Sequence, residues 1–342
     1  MAPDASHGPA RDAAFDRIKD VVGDKGWSDD PETVTPYVNA FRGDWEGKAA
    51  LLVRPASTDE VSKVMAICAE ALIPVVPQGG NTGLTGASVP DASGEQIVLS
   101  LDRMATIRNI DPLNYTITVD AGCILTNIQE AAAEADRLFP LSLGAQGSCQ
   151  IGGNLSTNAG GVNVLRYGNA RDLVFGLEVV LPDGRIWDGL RRLRKDNTGY
   201  DLKQLFVGGE GTLGIITGAV LKLFPKPKEV CTCVAAIRDT TSMIELLARC
   251  REASGDAVTS FEYLPRLLID IDLRHLEGIV DPLQQVYEHY ALIEFSGANP
   301  ESGMAEAMEN MLEVAFEDGI VLDATIAQSE SHRNDFWRIR EE

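Results

Sequence analysis

The chain has 342 residues, 44% hydrophobic and 24% charged, and its 51 acidic and 30 basic side chains give a formal net charge of −21. This composition is typical of a folded globular protein and excludes a chain that is disordered over most of its length. The negative charge argues against nucleic acid and anionic membrane surfaces as partners, and no apolar run approaches the roughly 18 residues of a membrane span.

Residues 1–45 are polar and acidic, and we interpret them as an N-terminal extension with a weak helix near 12–22. Acidic residues such as Asp4 and Asp12 argue against an acid-poor transit peptide, so we predict a cytoplasmic protein. Ordered structure is expected to begin near Ala49–Arg54.

The next elements alternate between helical and strand patterns. Ser57 and Glu60 have the spacing of a capping box, and an apolar face from Val61 to Leu72 follows at helical spacing until Pro74. The other predicted elements of this half are strands at 75–76, 97–101, 116–120 and 218–224, a helix at 124–135, and a hairpin of 174–181 with 185–188.

Pro225-Lys226-Pro227 is the predicted domain boundary. It separates a domain at 46–227 from a second one at 228–342. The second contains predicted strands at 231–237, 290–295 and 320–327 and predicted helices at 241–251 and 301–316, which favours an α+β layer.

Two uncharged, glycine-rich segments carry the functional signal. Residues 79–86 contain four glycines, and no Lys or Arg occurs from residue 64 to 102, so an anion bound there must be held by backbone N–H groups. No formal charge occurs from Phe139 to Leu165, a segment rich in Gly, Ser and Asn that suits a large polar heterocycle with a sugar-like chain. The alternatives are a plain surface loop and a long loop packed on its own domain.

Several other motifs have simpler interpretations. Gly209–Gly214 matches G-x-G-x-x-G, but a strand-like sequence follows, which disfavours a dinucleotide fingerprint. The six cysteines lack a C-x-x-C pair and are predicted to be buried free thiols, and the four dispersed histidines predict no metal site. The basic cluster at 191–195 is interpreted as a solvated loop in preference to a binding patch.

Four motifs together resemble the FAD-linked D-2-hydroxyglutarate dehydrogenase family, of the vanillyl-alcohol-oxidase (PCMH) type. They are Pro77–Gly83, Gly147–Gly161, Arg166–Gly168 and Arg194–Thr217, and the similarity extends over roughly residues 40–342. The resemblance implies an α+β fold: a PCMH-type FAD-binding domain of two subdomains, followed by an incomplete substrate domain with an antiparallel sheet.

The resemblance also implies how FAD is bound. Residues 79–84 would hold the pyrophosphate, and the segments 144–161 and 211–216 would line the flavin and adenosine. Asn81 occupies the position of the histidine that links FAD covalently in some relatives, so noncovalent FAD is expected. The candidate cofactor-binding residues are Pro77, Gly79, Gly80, Asn81, Thr82, Gly83, Leu84, Gly144, Ala145, Gly147, Ser148, Gly152, Gly153, Asn154, Thr157, Asn158, Gly160, Gly161, Tyr167, Gly168, Gly211, Ile215 and Ile216.

The implied reaction oxidises a D-2-hydroxy acid, D-2-hydroxyglutarate first, with hydride transfer to flavin N5. Arg340 matches the family arginine that binds a substrate carboxylate. An electron-transfer flavoprotein or a quinone would reoxidise the flavin. The substrate could instead be D-lactate or glycolate, and the chain could be a flavin-binding subunit without turnover. A homodimer is also possible.

Members of this family continue well beyond the position of residue 342, with a histidine-rich zinc motif, the catalytic histidine and a substrate-binding lysine. We therefore expect zinc only where such a region exists, and a catalytic base outside this chain. The end within a helix at Arg340–Glu342 favours the front part of an ordinary dehydrogenase over a short flavin-binding protein.

Overall fold

The computed structural model describes residues 8–341, which form two compact units. The first consists of residues up to Phe139, Ala145–Ala159 and Asn169–Phe224. The second consists of Pro140–Gly144, Gly160–Gly168 and the residues from Pro225 onward. Two short segments of the uncharged glycine-rich stretch are therefore part of the second unit.

Helices and strands are interspersed along the whole described chain. The helices are α1 (Pro9–Val22), α2 (Pro31–Val38), α3 (Thr58–Ala71), α4 (Leu125–Glu134), α5 (Ile151–Ser156), α6 (Val164–Tyr167), α7 (Lys203–Phe206), α8 (Thr240–Ala253), α9 (Arg266–His275), α10 (Met304–Glu317) and α11 (Glu330–Glu341). The strands are β1 (Trp27–Ser28), β2 (Ala49–Val53), β3 (Val75–Gln78), β4 (Gln96–Ser100), β5 (Ile107–Asp111), β6 (Thr116–Asp120), β7 (Arg137–Leu138), β8 (Val174–Val180), β9 (Ile186–Gly189), β10 (Ile215–Lys222), β11 (Phe224–Pro225), β12 (Glu229–Ile237), β13 (Val258–Pro265), β14 (His289–Gly297) and β15 (Val321–Ile326).

The first unit contains two sheets. In the smaller one, of order β1-β2-β4-β3, the strands β2, β4 and β3 are parallel. Their apolar sequences suit strands buried on both faces. The larger sheet, of order β5-β6-β10-β8-β9, is antiparallel. The predicted hairpin is confirmed as β8 and β9, with Gly184 in its turn at φ 86°.

The start of α3 agrees with the predicted capping box, whereas the helix ends one residue before the predicted last apolar position, Leu72. The Ser57 hydroxyl accepts a hydrogen bond from the Glu60 N–H at 3.2 Å, which satisfies one of the free donors of the first turn. At the other end, Leu72 takes the left-handed C-cap conformation (φ 52°) and is 87% exposed. Its predicted place on the buried helix face is wrong because the helix already ends at Ala71.

The weak helix predicted near residues 12–22 is confirmed as α1, so regular structure begins well before the predicted onset of ordered structure near Ala49–Arg54. Helix α1 starts at Pro9, and its Ala14, Phe15 and Ile18 are buried on the side that contacts α3. The predicted onset at Ala49 is therefore wrong, because a few apolar residues at helical spacing suffice to dock an otherwise polar helix.

The segment interpreted as one long loop contains the short helices α5 and α6. The sequence G-x-G-x-x-G at 209–214 leads directly into β10, so the rejection of a dinucleotide fingerprint is confirmed. The basic cluster is exposed throughout 191–200, which agrees with the solvated-loop interpretation.

The second unit is built on one antiparallel sheet of order β13-β14-β12-β15. One apolar cluster joins a face of this sheet to α8 and α10, and another joins the opposite face to α9 and α11. The α+β fold with an antiparallel sheet in its second part is thus confirmed. The sequence missed β13 and α9, whose polar and apolar residues alternate irregularly.

Candidate functional site

The glycine-rich loop leaves the end of β3 and lies directly against the segment that precedes α5. A Cβ atom at Gly80 would lie 2.1 Å from the carbonyl oxygen of Ser148, so only glycine allows this approach. A Cβ atom at Gly83 would meet nothing within 4 Å. The loop is therefore fixed on one side and open at its tip.

Asn81 anchors the loop. Its side-chain amide donates hydrogen bonds to the carbonyl oxygens of Asn39 at 2.8 Å and Pro36 at 3.2 Å, and its side-chain oxygen accepts one from the Ser88 hydroxyl at 2.9 Å. Its backbone is left-handed at φ 51°, a conformation that asparagine tolerates. Asn81 was predicted from the sequence to be a cofactor ligand, but its side chain is committed to shaping the loop.

The backbone of the same loop has free donors. Within residues 8–341, no hydrogen bond uses the backbone N–H groups of Gly80, Asn81, Thr82 or Gly83. Buried or half-buried N–H groups are normally satisfied. Adjacent free donors on a loop without cationic side chains are suited to an anion such as a phosphate.

Gln78, the last residue of β3, is 2% exposed and was not selected from the sequence. Its Nε2 donates to the carbonyl oxygens of Tyr37 and Ser88, both at 2.8 Å. These two bonds fix the orientation of the amide and leave Oε1 buried without a hydrogen-bond partner among the described residues. A buried acceptor of this kind is suited to a ligand hydroxyl or N–H group.

A cavity in the first unit brings together residues that are distant in the sequence. Gly211 closes it at φ 76°, where a Cβ atom would lie 2.4 Å from Cγ of Pro77. The candidate residues that line it are Pro77, Gly79, Gly152, Gly153, Thr157, Gly211, Ile215 and Ile216. The lining residues that were not predicted from the sequence are Gln78, Ala87, Ser88, Leu101, Ser156 and Glu210.

Other candidates of the first unit lie outside the lining of this cavity. The Asn158 side-chain oxygen accepts a hydrogen bond from the Arg171 N–H at 2.9 Å, which supports the turn after α5. Asn154 is 6% exposed, and its side-chain oxygen has no partner in the described part of the chain. The remaining candidates of this kind are Gly80, Asn81, Thr82, Gly83, Leu84, Ala145, Gly147 and Ser148.

The other five candidates for cofactor binding belong to the second unit: Gly144, Gly160, Gly161, Tyr167 and Gly168. The first three line a second cavity, and Arg340 lines the same cavity. A Cβ atom at Gly161 would lie 1.8 Å from the Ser142 carbonyl oxygen, so this wall also depends on glycine. Burial raises the pKa of the nearby Tyr167 hydroxyl, which keeps it protonated.

Arg340 extends from α11 and donates a hydrogen bond from Nε to Oε2 of Glu262 on β13 at 2.5 Å. Its side chain is 42% exposed, whereas that of Glu262 is 21% exposed. The guanidinium retains donors beyond Nε that a ligand carboxylate could accept from.

The first cavity and the glycine-rich loop beside it together offer the groups that FAD requires. Free backbone N–H groups suit its pyrophosphate oxygens, the Gln78 Oε1 suits a hydroxyl or N–H donor, and Ile215, Ile216 and Leu101 supply apolar surface for a ring. Within residues 8–341 no group of three or more His, Cys, Asp or Glu side chains is arranged to hold a metal ion. His7 lies outside the described residues. No helix of the described part has the length and apolar character of a membrane span.

Two family models match the chain. An FAD binding domain matches residues 49–189, and the C-terminal domain of FAD linked oxidases matches residues 226–342. The structure of 4-ethylphenol oxidase from Gulosibacter chungangensis superposes with a TM-score of 0.76 at 19% identity, over 100% of this chain and 71% of that one. This likeness confirms the PCMH-type fold, and the match to the FAD binding domain shows FAD as the cofactor.

Curated relatives are more similar in sequence. The mitochondrial D-2-hydroxyglutarate dehydrogenase of Arabidopsis thaliana is 39% identical over 324 residues, which are 95% of this chain and 57% of that protein. The D-2-hydroxyglutarate–pyruvate transhydrogenase of Saccharomyces cerevisiae is 37% identical over 310 residues, which are 91% of this chain and 62% of that protein. The chain thus spans less than two thirds of the length of these relatives.

The comparisons correct one prediction. The D-2-hydroxyglutarate dehydrogenases of Arabidopsis thaliana, Danio rerio and Bos taurus are all named as mitochondrial, which contradicts the cytoplasmic location inferred from the sequence. The acidic residues near the N-terminus do not by themselves determine the cellular location. The chain carries the two domains of the FAD linked oxidases, and relatives at 38–42% identity are named D-2-hydroxyglutarate dehydrogenases.

Proposed function

We propose that this chain binds FAD noncovalently and takes part in the oxidation of a D-2-hydroxy acid, D-2-hydroxyglutarate first, to the 2-oxo acid. The observation that carries the proposal is the position of Arg340. It lines one cavity together with Gly144, Gly160 and Gly161, residues that the family resemblance assigns to the flavin. This position supports the proposal, because a guanidinium suited to a substrate carboxylate lies among residues expected to contact the cofactor.

In this proposal the chain positions its ligands. The free N–H groups of Gly80–Gly83 hold the pyrophosphate, the anchored Asn81 keeps those groups in place, and Arg340 binds a substrate carboxylate. When bound, FAD supplies the acceptor for the hydride that leaves the substrate Cα, while the hydroxyl proton goes to a base. Fixing the hydroxy acid by its carboxylate sets the orientation of the Cα–H bond.

The test begins with the visible spectrum of the purified 342-residue chain. We expect a flavin spectrum, and FAD as the chromophore that is released on unfolding. Under anaerobic conditions, D-2-hydroxyglutarate is then added, with D-lactate as the alternative substrate and Arg340→Gln as the control variant. Because the catalytic base is expected outside this chain, the readout for the substrate is a shift of the flavin spectrum on binding. Retained flavin whose spectrum no 2-hydroxy acid shifts would reject a role in the oxidation, and a protein that binds no FAD would reject the whole proposal.

For the electron acceptor, we propose an electron-transfer flavoprotein or a quinone. The similarity to the transhydrogenase of Saccharomyces cerevisiae adds pyruvate, the acceptor in that protein's name, as a second candidate. Stopped-flow reoxidation of the reduced protein by each of the three would distinguish them.

A further inference from the structure

The cavity around Arg340 contains more negative than positive charge. Among the described residues that line it, Arg340 is the one cation, and Glu262 and Glu341 are both carboxylates; the others carry no charge. Arg340 is moreover engaged, since its Nε donates to Glu262 Oε2 at 2.5 Å. A ligand carboxylate that approaches Arg340 therefore meets a site that an internal carboxylate already occupies.

The helix that carries Arg340 does not depend on this ion pair for its position. Phe336 and Ile339 of α11 are each 2% exposed within the apolar cluster on the sheet. The Trp337 indole N–H also donates to Oε2 of Glu294 at 3.0 Å. Because α11 has these anchors, the pair of Arg340 and Glu262 is expected to be dispensable for folding, and most exposed pairs of this kind contribute little stability.

We propose that Glu262 is an internal competitor for the substrate carboxylate, so that it sets the affinity and charge preference of the Arg340 site. The inference rests on the proposed function, in which Arg340 binds a 2-hydroxy acid. A ligand carboxylate either shares the guanidinium with Glu262 or displaces it, and in both cases the Glu262 charge opposes the ligand charge. Removing that charge should therefore strengthen ligand binding, and more so for a dicarboxylate than for a monocarboxylate.

The experiment measures ligand binding to the full 342-residue chain by calorimetry. The probes are 2-oxoglutarate, a dicarboxylate, and pyruvate, a monocarboxylate. For Glu262→Gln we expect 2-oxoglutarate to bind on the order of 10-fold more tightly than to the wild type, the size of one lost charge contact, and pyruvate to gain less. Trp337→Phe is the matched control, because it removes an anchor of α11 and leaves the cavity charge unchanged.

Each outcome decides a different question. Equal or weaker binding of 2-oxoglutarate by Glu262→Gln, or no binding by either protein, would overturn the competitor role. If Arg340→Gln bound 2-oxoglutarate as well as the wild type, the carboxylate site of the proposed function would fail instead. Circular-dichroism melting checks that the variants fold, and Glu262→Met, for which the same gain is expected, replaces Glu262→Gln should that variant not fold.

Discussion

Arg166 donates hydrogen bonds from its guanidinium to both the backbone carbonyl and the side-chain hydroxyl of Ser296, the latter at 2.6 Å. Arg166 lies in the short segment Gly160–Gly168, whereas Ser296 lies on β14. The Ser296 hydroxyl is also bonded to that of Thr259 at 2.6 Å. This contact is one reason why the segment belongs to the second unit.

The first prediction concerns this contact. Arg166→Met should lower the free energy of unfolding by about 1–3 kcal/mol, because it leaves the buried Ser296 oxygens without a charged donor. Urea unfolding followed by circular dichroism measures the change. Arg192→Met, at an exposed arginine, serves as the control. Equal unfolding midpoints for the two variants would show that the contact does not stabilise the fold.

The same contact shows what could and could not be predicted from the sequence. Local patterns predicted the capping residue Ser57, the hairpin at Gly184 and most strands, because caps, turns and alternation are determined by neighbouring residues. Membership of Gly160–Gly168 in the second unit could not be predicted, since it depends on a partner far along the chain. The predictions of FAD as cofactor and of Arg340 as carboxylate ligand came from the family resemblance and not from residue spacing.

The site shows the same limit. The sequence indicated that the loop after β3 brings its backbone close to an anion, but not which residues hold the loop in place. Asn81 is held by the carbonyl oxygens of Pro36 and Asn39, and Gln78 by those of Tyr37 and Ser88. Because every residue has a backbone carbonyl, residue types do not indicate which carbonyl oxygens accept these hydrogen bonds, and the anchors could not be predicted from the sequence.

The second prediction separates the fold of the loop from its ligand. Gly80→Ala places a Cβ atom 2.1 Å from the Ser148 carbonyl oxygen, so it should lower the melting temperature of the FAD-free protein and abolish FAD binding. Gly83→Ala meets no atom within 4 Å, so the melting temperature should stay unchanged. FAD affinity, measured by flavin fluorescence quenching, should still fall if FAD approaches the loop tip.

Two results would contradict this prediction. Unchanged melting of Gly80→Ala would mean that the loop can move away from Ser148 at little cost. Unchanged FAD affinity of Gly83→Ala would mean that the cofactor does not come close to the tip of the loop.

The third prediction concerns the bond to the cofactor. Because Asn81 occupies the position of the linking histidine and its amide is bonded to protein groups, FAD should leave the chain completely on unfolding in guanidinium. Asn81→Ala should weaken FAD binding about 5- to 150-fold, the effect of losing roughly 1–3 kcal/mol of hydrogen bonding that holds the loop. Ultrafiltration after unfolding and equilibrium titration measure the two effects. Flavin that stays on the unfolded chain would refute noncovalent binding.

The fourth prediction follows from the buried thiols. All six cysteines are free and buried, and burial raises the pKa of the Cys68 thiol from 9.0 to about 12. The unfolded chain ionises this thiol near its ordinary pKa, whereas the folded chain keeps it neutral. Its contribution to stability is therefore complete below pH 9 and is lost as the pH rises toward 12.

At pH 10.5 the loss for Cys68 amounts to about 2 kcal/mol, at 1.36 kcal/mol for each pH unit above 9. Guanidinium unfolding of the wild type at pH 8 and pH 10.5 should show this loss together with those of the other buried thiols. In Cys68→Ala the free energy of unfolding should decrease less between pH 8 and pH 10.5, by the roughly 2 kcal/mol that Cys68 contributes to the loss in the wild type. The cavity left by the substitution lowers the stability of the variant at both pH values, but it does not change this difference. If the Cys68 thiolate were solvated in the folded state, the decrease in stability between the two pH values would be the same in the wild type and in Cys68→Ala. A thiol-specific reagent at pH 8 would then also modify Cys68 in the folded protein.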